Sequence, residues 1–293
     1  MNARWLAVVA LHLPAALTAQ DRIDRRVALE SDASIRIVNL MGSIRVIGWD
    51  KDTLAVSGTL GRGAGKFFYF GGGGRGAKLG VEVPEQYQVD EKSDLEVRVP
   101  ARARLWIKAA AATIEIVDFK GGLDLYSVSG TIRVQGNPSQ VYAESMDGAV
   151  EFSGVTPFAR VKTASGNITL AGTVDDATAT TVGGLVSVTG LTYQRVRLES
   201  VTGNIDLAGA IPRGASVTAE SHSGTITISV PGDAQASFYV NNFQGAITNG
   251  LTKATPRLVR ERGGHELSFT LGQGAADVNA RNFKGDVVLK RRS

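Results

Sequence analysis

The chain reads as all-β: a single-stack β-solenoid (a β-helix or β-roll) of two-strand rungs, 18–21 residues each, with a small N-terminal lateral sheet. Three observations carry this expectation: glycines at a fixed period, branched aliphatics at fixed offsets from them, and alternation of apolar and polar positions between. Gly130, Gly148, Gly166 and Gly184 stand 18 residues apart, and Gly203, Gly224 and Gly245 follow at 19, 21 and 21. Two residues after each comes Ile132, Val150, Ile168, Val186, Ile205, Ile226 and Ile247. Six after comes a second glycine column, Gly136, Gly154, Gly172, Gly190 and Gly209. A constant period of this length marks a repeat architecture.

One unit shows why such a repeat stacks. Val196–Ser200 and Asn204–Leu207 alternate with period 2, and Val201-Thr202-Gly203 turns between them. Glycine is expected to supply the left-handed conformations of the corners. One rung cannot bury its apolar face, whereas rungs stacked about 4.8 Å apart bury it and pair every backbone amide. Five residues before each anchor the column reads Leu125, Ala143, Val161, Ala179, Leu198, Ala219, Val240, large beside small, as a narrow close-packed interior requires. The outward columns, Tyr126, Glu144, Lys162, Thr180, Glu199, Glu220 and Glu115, Arg133, Glu151, Thr169, Ser187, Asp206, are polar ladders in which Arg133 should pair with Glu151.

In chain order, residues 1–19 have the form of a signal peptide: Arg4, an apolar segment from Trp5 to Leu13, then small residues up to Ala19. That apolar segment is shorter than the roughly 20 residues needed to span a bilayer, and no later stretch qualifies as a transmembrane helix. The solenoid domain is then 20–293, with its first rung at Ile35–Gly48. Residues 49–104 interrupt the period. Leu54–Leu60, Val81–Val83 and Leu95–Val99 alternate as strands of a lateral or capping sheet, and 61–80 holds an irregular glycine-rich insert. Rungs resume at Leu105-Trp106-Ile107, with Ala112 in the anchor place, and run to Gly245. Asn242-Phe243-Gln244-Gly245 is echoed by Asn282-Phe283-Lys284-Gly285, which leaves room for one irregular rung containing Leu267–Leu271 between them. About ten rungs at this spacing make a stack about 50 Å long.

Composition sets limits on chemistry. There is no cysteine, which excludes disulfides and a lipidated N-terminal Cys, and two histidines after residue 19 argue against zinc. A formal charge of +4, with both signs interleaved along the repeats, gives no phosphate-binding stripe, so no nucleic-acid partner is expected. The Ser127-Val128-Ser129-Gly130-Thr131-Ile132-Arg133-Val134 unit, behind a signal peptide, resembles the bacterial β-strand-repeat family of exported proteins named "putative adhesin". The resemblance covers most of 30–290 and implies an exported, envelope-associated β-solenoid. It brings no catalytic residues.

Several residues invite a chemical reading. Ser127, Ser145, Thr163, Thr181, Ser200, Ser221 and Asn242 form a column three before the anchors, with Glu220 and His222 flanking Ser221. A hydroxyl in every rung reads as a corner ladder capping turn amides, not as a nucleophile. Glu144, Glu151, Glu199 and Glu220 are candidate paired carboxylates for a polysaccharide lyase or hydrolase, but Lys162 and Thr180 interleave them. Asp175-Asp176 reads as a solvated turn. Gly65-Lys66 lacks the spacing of a phosphate loop. No catalytic, cofactor or metal residues are therefore assigned. Phe67, Phe68, Tyr69 and Phe70 remain, either as a cap over the solenoid end, the preferred reading, or as an exposed recognition loop. The expected function is a non-enzymatic adhesin-like or scaffold module, periplasmic, outer-surface or extracellular. Its partner would be an envelope protein or polysaccharide bound through the ladder faces or the aromatic loop. A polysaccharide-active enzyme and an envelope-stress sensor domain are the alternatives.

Overall fold

The computed structural model describes residues 22–62, 64–82, 92–259 and 263–292; the expected signal peptide lies outside the described residues. The described residues form twenty-five strands and no helix. The first part of the chain supplies β1 (Arg22–Ala28), β2 (Ser34–Val38), β3 (Gly42–Trp49), β4 (Thr53–Thr59), β5 (Phe67–Gly71), β6 (Gly76–Val81), β7 (Ser93–Pro100), β8 (Arg104–Lys108) and β9 (Thr113–Phe119). The middle supplies β10 (Gly122–Ser127), β11 (Ile132–Gly136), β12 (Gln140–Ser145), β13 (Val150–Thr163), β14 (Ile168–Thr181), β15 (Val186–Thr189), β16 (Arg195–Ser200) and β17 (Ile205–Ala208). The last part supplies β18 (Ser216–Ser221), β19 (Ile226–Val230), β20 (Ser237–Asn242), β21 (Ile247–Asn249), β22 (Arg257–Leu258), β23 (His265–Thr270), β24 (Asp277–Asn282) and β25 (Val287–Arg291).

From β7 to β21 consecutive strands alternate between two faces of one open, folded sheet. The first face runs β5-β6-β2-β8-β10-β12-β13-β14-β16-β18-β24-β20-β23-β22, and the second β1-β4-β7-β3-β9-β11-β13-β14-β15-β17-β19-β25-β21. The long strands β13 and β14 pass around a corner and serve both faces. Pairing inside the stack is parallel and in register, so residues one period apart stand side by side, as Ile132 does with Ile114 and Val150. The inward positions form one continuous apolar core from Ile23 to Leu289. This is the expected β-solenoid. Eleven rungs stack among the described residues, from β6/β7 through β2/β3 and on to β24/β25 and β20/β21.

The two glycine columns have different causes. Gly172 has φ +104°, a corner that L side chains rarely adopt. The anchor Gly166 is not left-handed; a Cβ there would stand 2.1 Å from the carbonyl oxygen of Gly148 one rung below. Close approach between rungs, and not the left-handed conformation expected of the turn, requires glycine at the anchors.

The ends depart from chain order. Residues 49–104 were expected as a sheet beside the first rungs; instead they continue both faces. β6 and β7 make a parallel rung outside β2/β3, while β5 pairs antiparallel to β6, and β4 to β7 and to β1. At the other end the rungs were expected to run unbroken to Gly245, with the echo rung beyond. The echo rung, β24/β25, is instead inserted between β18/β19 and β20/β21. The large-small column is therefore broken, because Ala280 stands between Ala219 and Val240. Side-chain bonds hold the inserted rung on both sides. The Asn282 amide donates to the Gly224 carbonyl at 2.7 Å, and the Asn242 amide to the Gly285 carbonyl at 2.9 Å. Leu267–Leu271 is a strand as expected over most of its length, but it pairs antiparallel to β20 as the start of an end cap.

Candidate recognition surface

The hydroxyl column is structural. Its members are buried, and the Gly148, Gly184 and Gly224 amides donate to Ser145, Thr181 and Ser221 at 3.0, 3.1 and 3.0 Å. His222 points out and stacks on Phe283, which in turn stacks on Phe243, with ring centroids 4.9 and 4.8 Å apart. The hydroxyl of Ser221 thus caps a turn, accepting from the Gly224 amide, at the rim of a cavity that His265 and Glu266 also line.

Of the candidate carboxylates only Glu199 and Glu220 are neighbours, side by side on adjacent rungs, and each is met by an arginine. Glu151 lies on the second face, bound to Arg133 at 3.0 Å, which is the cross-rung pair expected from the spacing. Glu144, Glu199 and Glu220 lie on the first face. Glu199 is bound to Arg197, and Glu220 stands 3.6 Å from Arg281. Asp176 is tied to Arg195 at 2.6 Å. Among the described residues no group of three or more His, Asp or Glu is placed to hold a metal ion.

The aromatic run is split by the strand that carries it. In β5, Phe67 and Tyr69 turn inward and pack against the end of the core, and the Arg25 guanidinium lies 4.2 Å from the Tyr69 ring. Phe68 and Phe70 point outward with rings 5.6 Å apart; Phe70 is 64% exposed, and Lys78 lies 5.8 Å from the Phe68 ring.

From Phe70 a row of outward residues crosses the first face, one per rung: Lys78, Arg36, Trp106, Asp124, Tyr142, Arg160. Tyr126 and Phe158 lie in the flanking rows. The rings pair across rungs, Trp106 with Tyr126 at 5.9 Å and Tyr142 with Phe158 at 5.3 Å, and Arg160 covers Phe158 at 5.5 Å. Between them opens a shallow cavity of about 200 Å³ lined by Tyr126, Tyr142, Glu144, Arg160 and Lys162. Burial, then the Asp124 and Glu144 carboxylates, push the Tyr126 phenol above its ordinary value, so it stays a hydrogen-bond donor.

Charge on this half of the face is unbalanced. Lys78, Arg36, Arg104, Lys108, Arg160 and Lys162 oppose only Asp124 and Glu144, six less two, or +4. None of the six cations makes an ion pair among the described residues, whereas Arg195, Arg197 and Arg281 farther along the same face are all bridged. Sequence reading had Tyr126 and the insert aromatics but missed Tyr142 and Phe158. The signal was there in the 18-residue steps from Trp106 through Asp124 and Tyr142 to Arg160.

A second concavity, of about 550 Å³, lies near the far end beside Phe243, Phe283, His265, Glu266 and Arg281.

The geometry is that of a β-solenoid with one face whose N-terminal half is aromatic and cation-rich. The chain belongs to the Toastrack DUF4097 family, whose profile matches residues 38–290. Solved structures resemble the chain at low identity. A "putative lipid binding protein" from Parabacteroides distasonis superposes with a TM-score of 0.52 at 10% identity, covering 93% of this chain and 97% of its own. A "putative adhesin" from the same organism gives 0.52 at 9% identity, covering 93% and 98%. A "putative adhesin" from Bacteroides fragilis gives 0.45 at 11% identity, covering 92% and 98%. No curated protein matches the sequence.

Proposed function

We propose that this chain is an exported, non-enzymatic, adhesin-like scaffold of the cell envelope that binds a surface component through the outer side of its first face, with Phe68 and Phe70 extending that side at the N-terminal end. The observation that carries the reading is the run of cations without ion pairs and of outward rings on one half of a face whose other half carries three ion pairs among the described residues. Exposed aromatic patches of this kind mark interaction sites on otherwise polar surfaces. Export rests on the signal-like residues 1–19; no helix among the described residues is long and apolar enough to cross a membrane.

The test is co-sedimentation of the purified chain with isolated cell envelopes, beside an assay for new reducing ends or unsaturated sugars. The expected result is saturable binding without product, weakened when Phe68 and Phe70 are changed to Ser. Product formation abolished by a single Glu→Gln change would overturn the non-enzymatic reading, and failure to sediment would overturn the scaffold reading.

A further inference from the structure

The geometry points to an acidic polysaccharide, a chain of uronic-acid pyranose units lying along the stack axis, as the ligand of the aromatic half of the first face. This rests on the recognition role above and specifies its chemistry. Each part of a uronate unit has a counterpart on the face. The apolar C–H side of a pyranose ring stacks on Trp106, Tyr126, Tyr142 or Phe158, whose rings recur on four successive rungs about 4.8 Å apart. The carboxylate meets Arg160 or Lys162, neither of which makes an ion pair among the described residues. The ring hydroxyls find acceptors in Asp124 and Glu144, which sit among the rings, and a donor or acceptor in the Tyr126 phenol.

Those two carboxylates also bear on the choice among polyanions. A uronate chain carries one charge per unit, as a nucleic-acid strand does, but it adds ring hydroxyls from which Asp124 and Glu144 can accept, and a phosphodiester has none to give. An anionic bilayer likewise presents mainly phosphodiesters. In addition, Trp106, Tyr142 and Phe158 are half-buried between charged rows instead of standing proud of them, so they cannot insert among acyl chains.

The probes are oligomannuronate, the β-1,4-linked mannan oligomer of equal length that lacks the carboxylates, and oligothymidylate of equal charge, titrated by calorimetry against the whole chain at two salt concentrations. Oligomannuronate should bind best, and less tightly at the higher salt. Tyr142→Ala should weaken it about tenfold. The R160A/K162A double variant should weaken it similarly and flatten the salt dependence. Phe283→Ala, at the far end, should leave it unchanged. Unaltered melting curves establish that each variant is folded. Mannan binding as tightly as oligomannuronate, tighter oligothymidylate binding, no oligomannuronate binding, or a wild-type affinity for Tyr142→Ala would each overturn the inference. Envelope co-sedimentation that survives Tyr142→Ala and the double variant would sink this ligand while leaving the scaffold role intact. Loss of all envelope binding by the native chain would sink the scaffold role itself.

Discussion

Six successive rungs carry a hydroxyl at the same corner position, from Ser127 to Ser221, yet two of these residues use it differently. Ser145 Oγ accepts the Gly148 amide at 3.0 Å, while Ser200 Oγ, equally buried, has no partner among the described residues. Ser145→Ala should therefore cost about 0.5–1.5 kcal/mol and strand an amide, and Ser200→Ala should be close to neutral, as read by urea unfolding. Tyr193 is a similar case, 3% exposed with an unpartnered hydroxyl. Burial raises its phenol above the ordinary value of 10.0. In the unfolded chain that proton leaves near pH 10, but the native state retains it, so stability is complete below pH 10 and falls as pH rises beyond it. Tyr193→Phe should be neutral to stabilising at pH 7 and should move alkaline unfolding to higher pH; an unmoved alkaline midpoint would show that the phenol does not govern it. Gly166→Ala should destabilise by about 1–3 kcal/mol or more, because the new Cβ meets a backbone carbonyl that the parallel ladder holds in place. Sequence showed that glycine was needed there but not why, since chain spacing does not reveal how closely two rungs approach.

At the scale of strands, the second face carries an alternating charge row, Glu96, Arg45, Glu115, Arg133, Glu151, on β7, β3, β9, β11 and β13. Arg133 and Glu151 are 3.0 Å apart and Arg45 and Glu115 3.8 Å, all roughly half exposed. A double-mutant cycle on Arg133 and Glu151 should give a coupling of about 0.2–1 kcal/mol that fades with added salt. Three members of this row were legible from the 18-residue period. Glu96 and Arg45 were not, because their place depends on the rung order at the N-terminal end. The exposed edges are also protected by their sequences: β1, at the edge of the second face, carries Arg22, Asp24, Arg25 and Arg26, and β21, at the opposite edge, has three residues. Charged and short edge strands of this kind resist pairing with other chains.

For the whole molecule, the order of the end rungs matters most. Both ends place the rung nearest a terminus second from the end: β2/β3 lies inside β6/β7, and β24/β25 inside β20/β21. Each terminal rung is thereby paired on both sides, so fraying cannot begin with it. Excising Ala149–Gly166 removes one period and keeps the register, and truncation after Ala275 removes the same 18 residues. Stability in stacked repeats is close to a sum over neighbouring units, so the excised chain should still unfold cooperatively with a modest drop in Tm. The truncated chain loses the rung between β18/β19 and β20/β21 and should melt well below it, with early proteolysis between residues 231 and 258. Equal melting temperatures for the two deletions would contradict the interlocked end. The period, the inward columns, the corner ladder and the aliphatic core were determined by the sequence alone, because one side-chain pattern repeated at one spacing admits a single local geometry. Rung order at the ends, and with it the placing of Phe70, Lys78 and Arg36 in line with Trp106, was decided only by the tertiary structure. The physical reason is that every rung edge offers the same row of backbone donors and acceptors, so neighbours in space need not be neighbours in the chain.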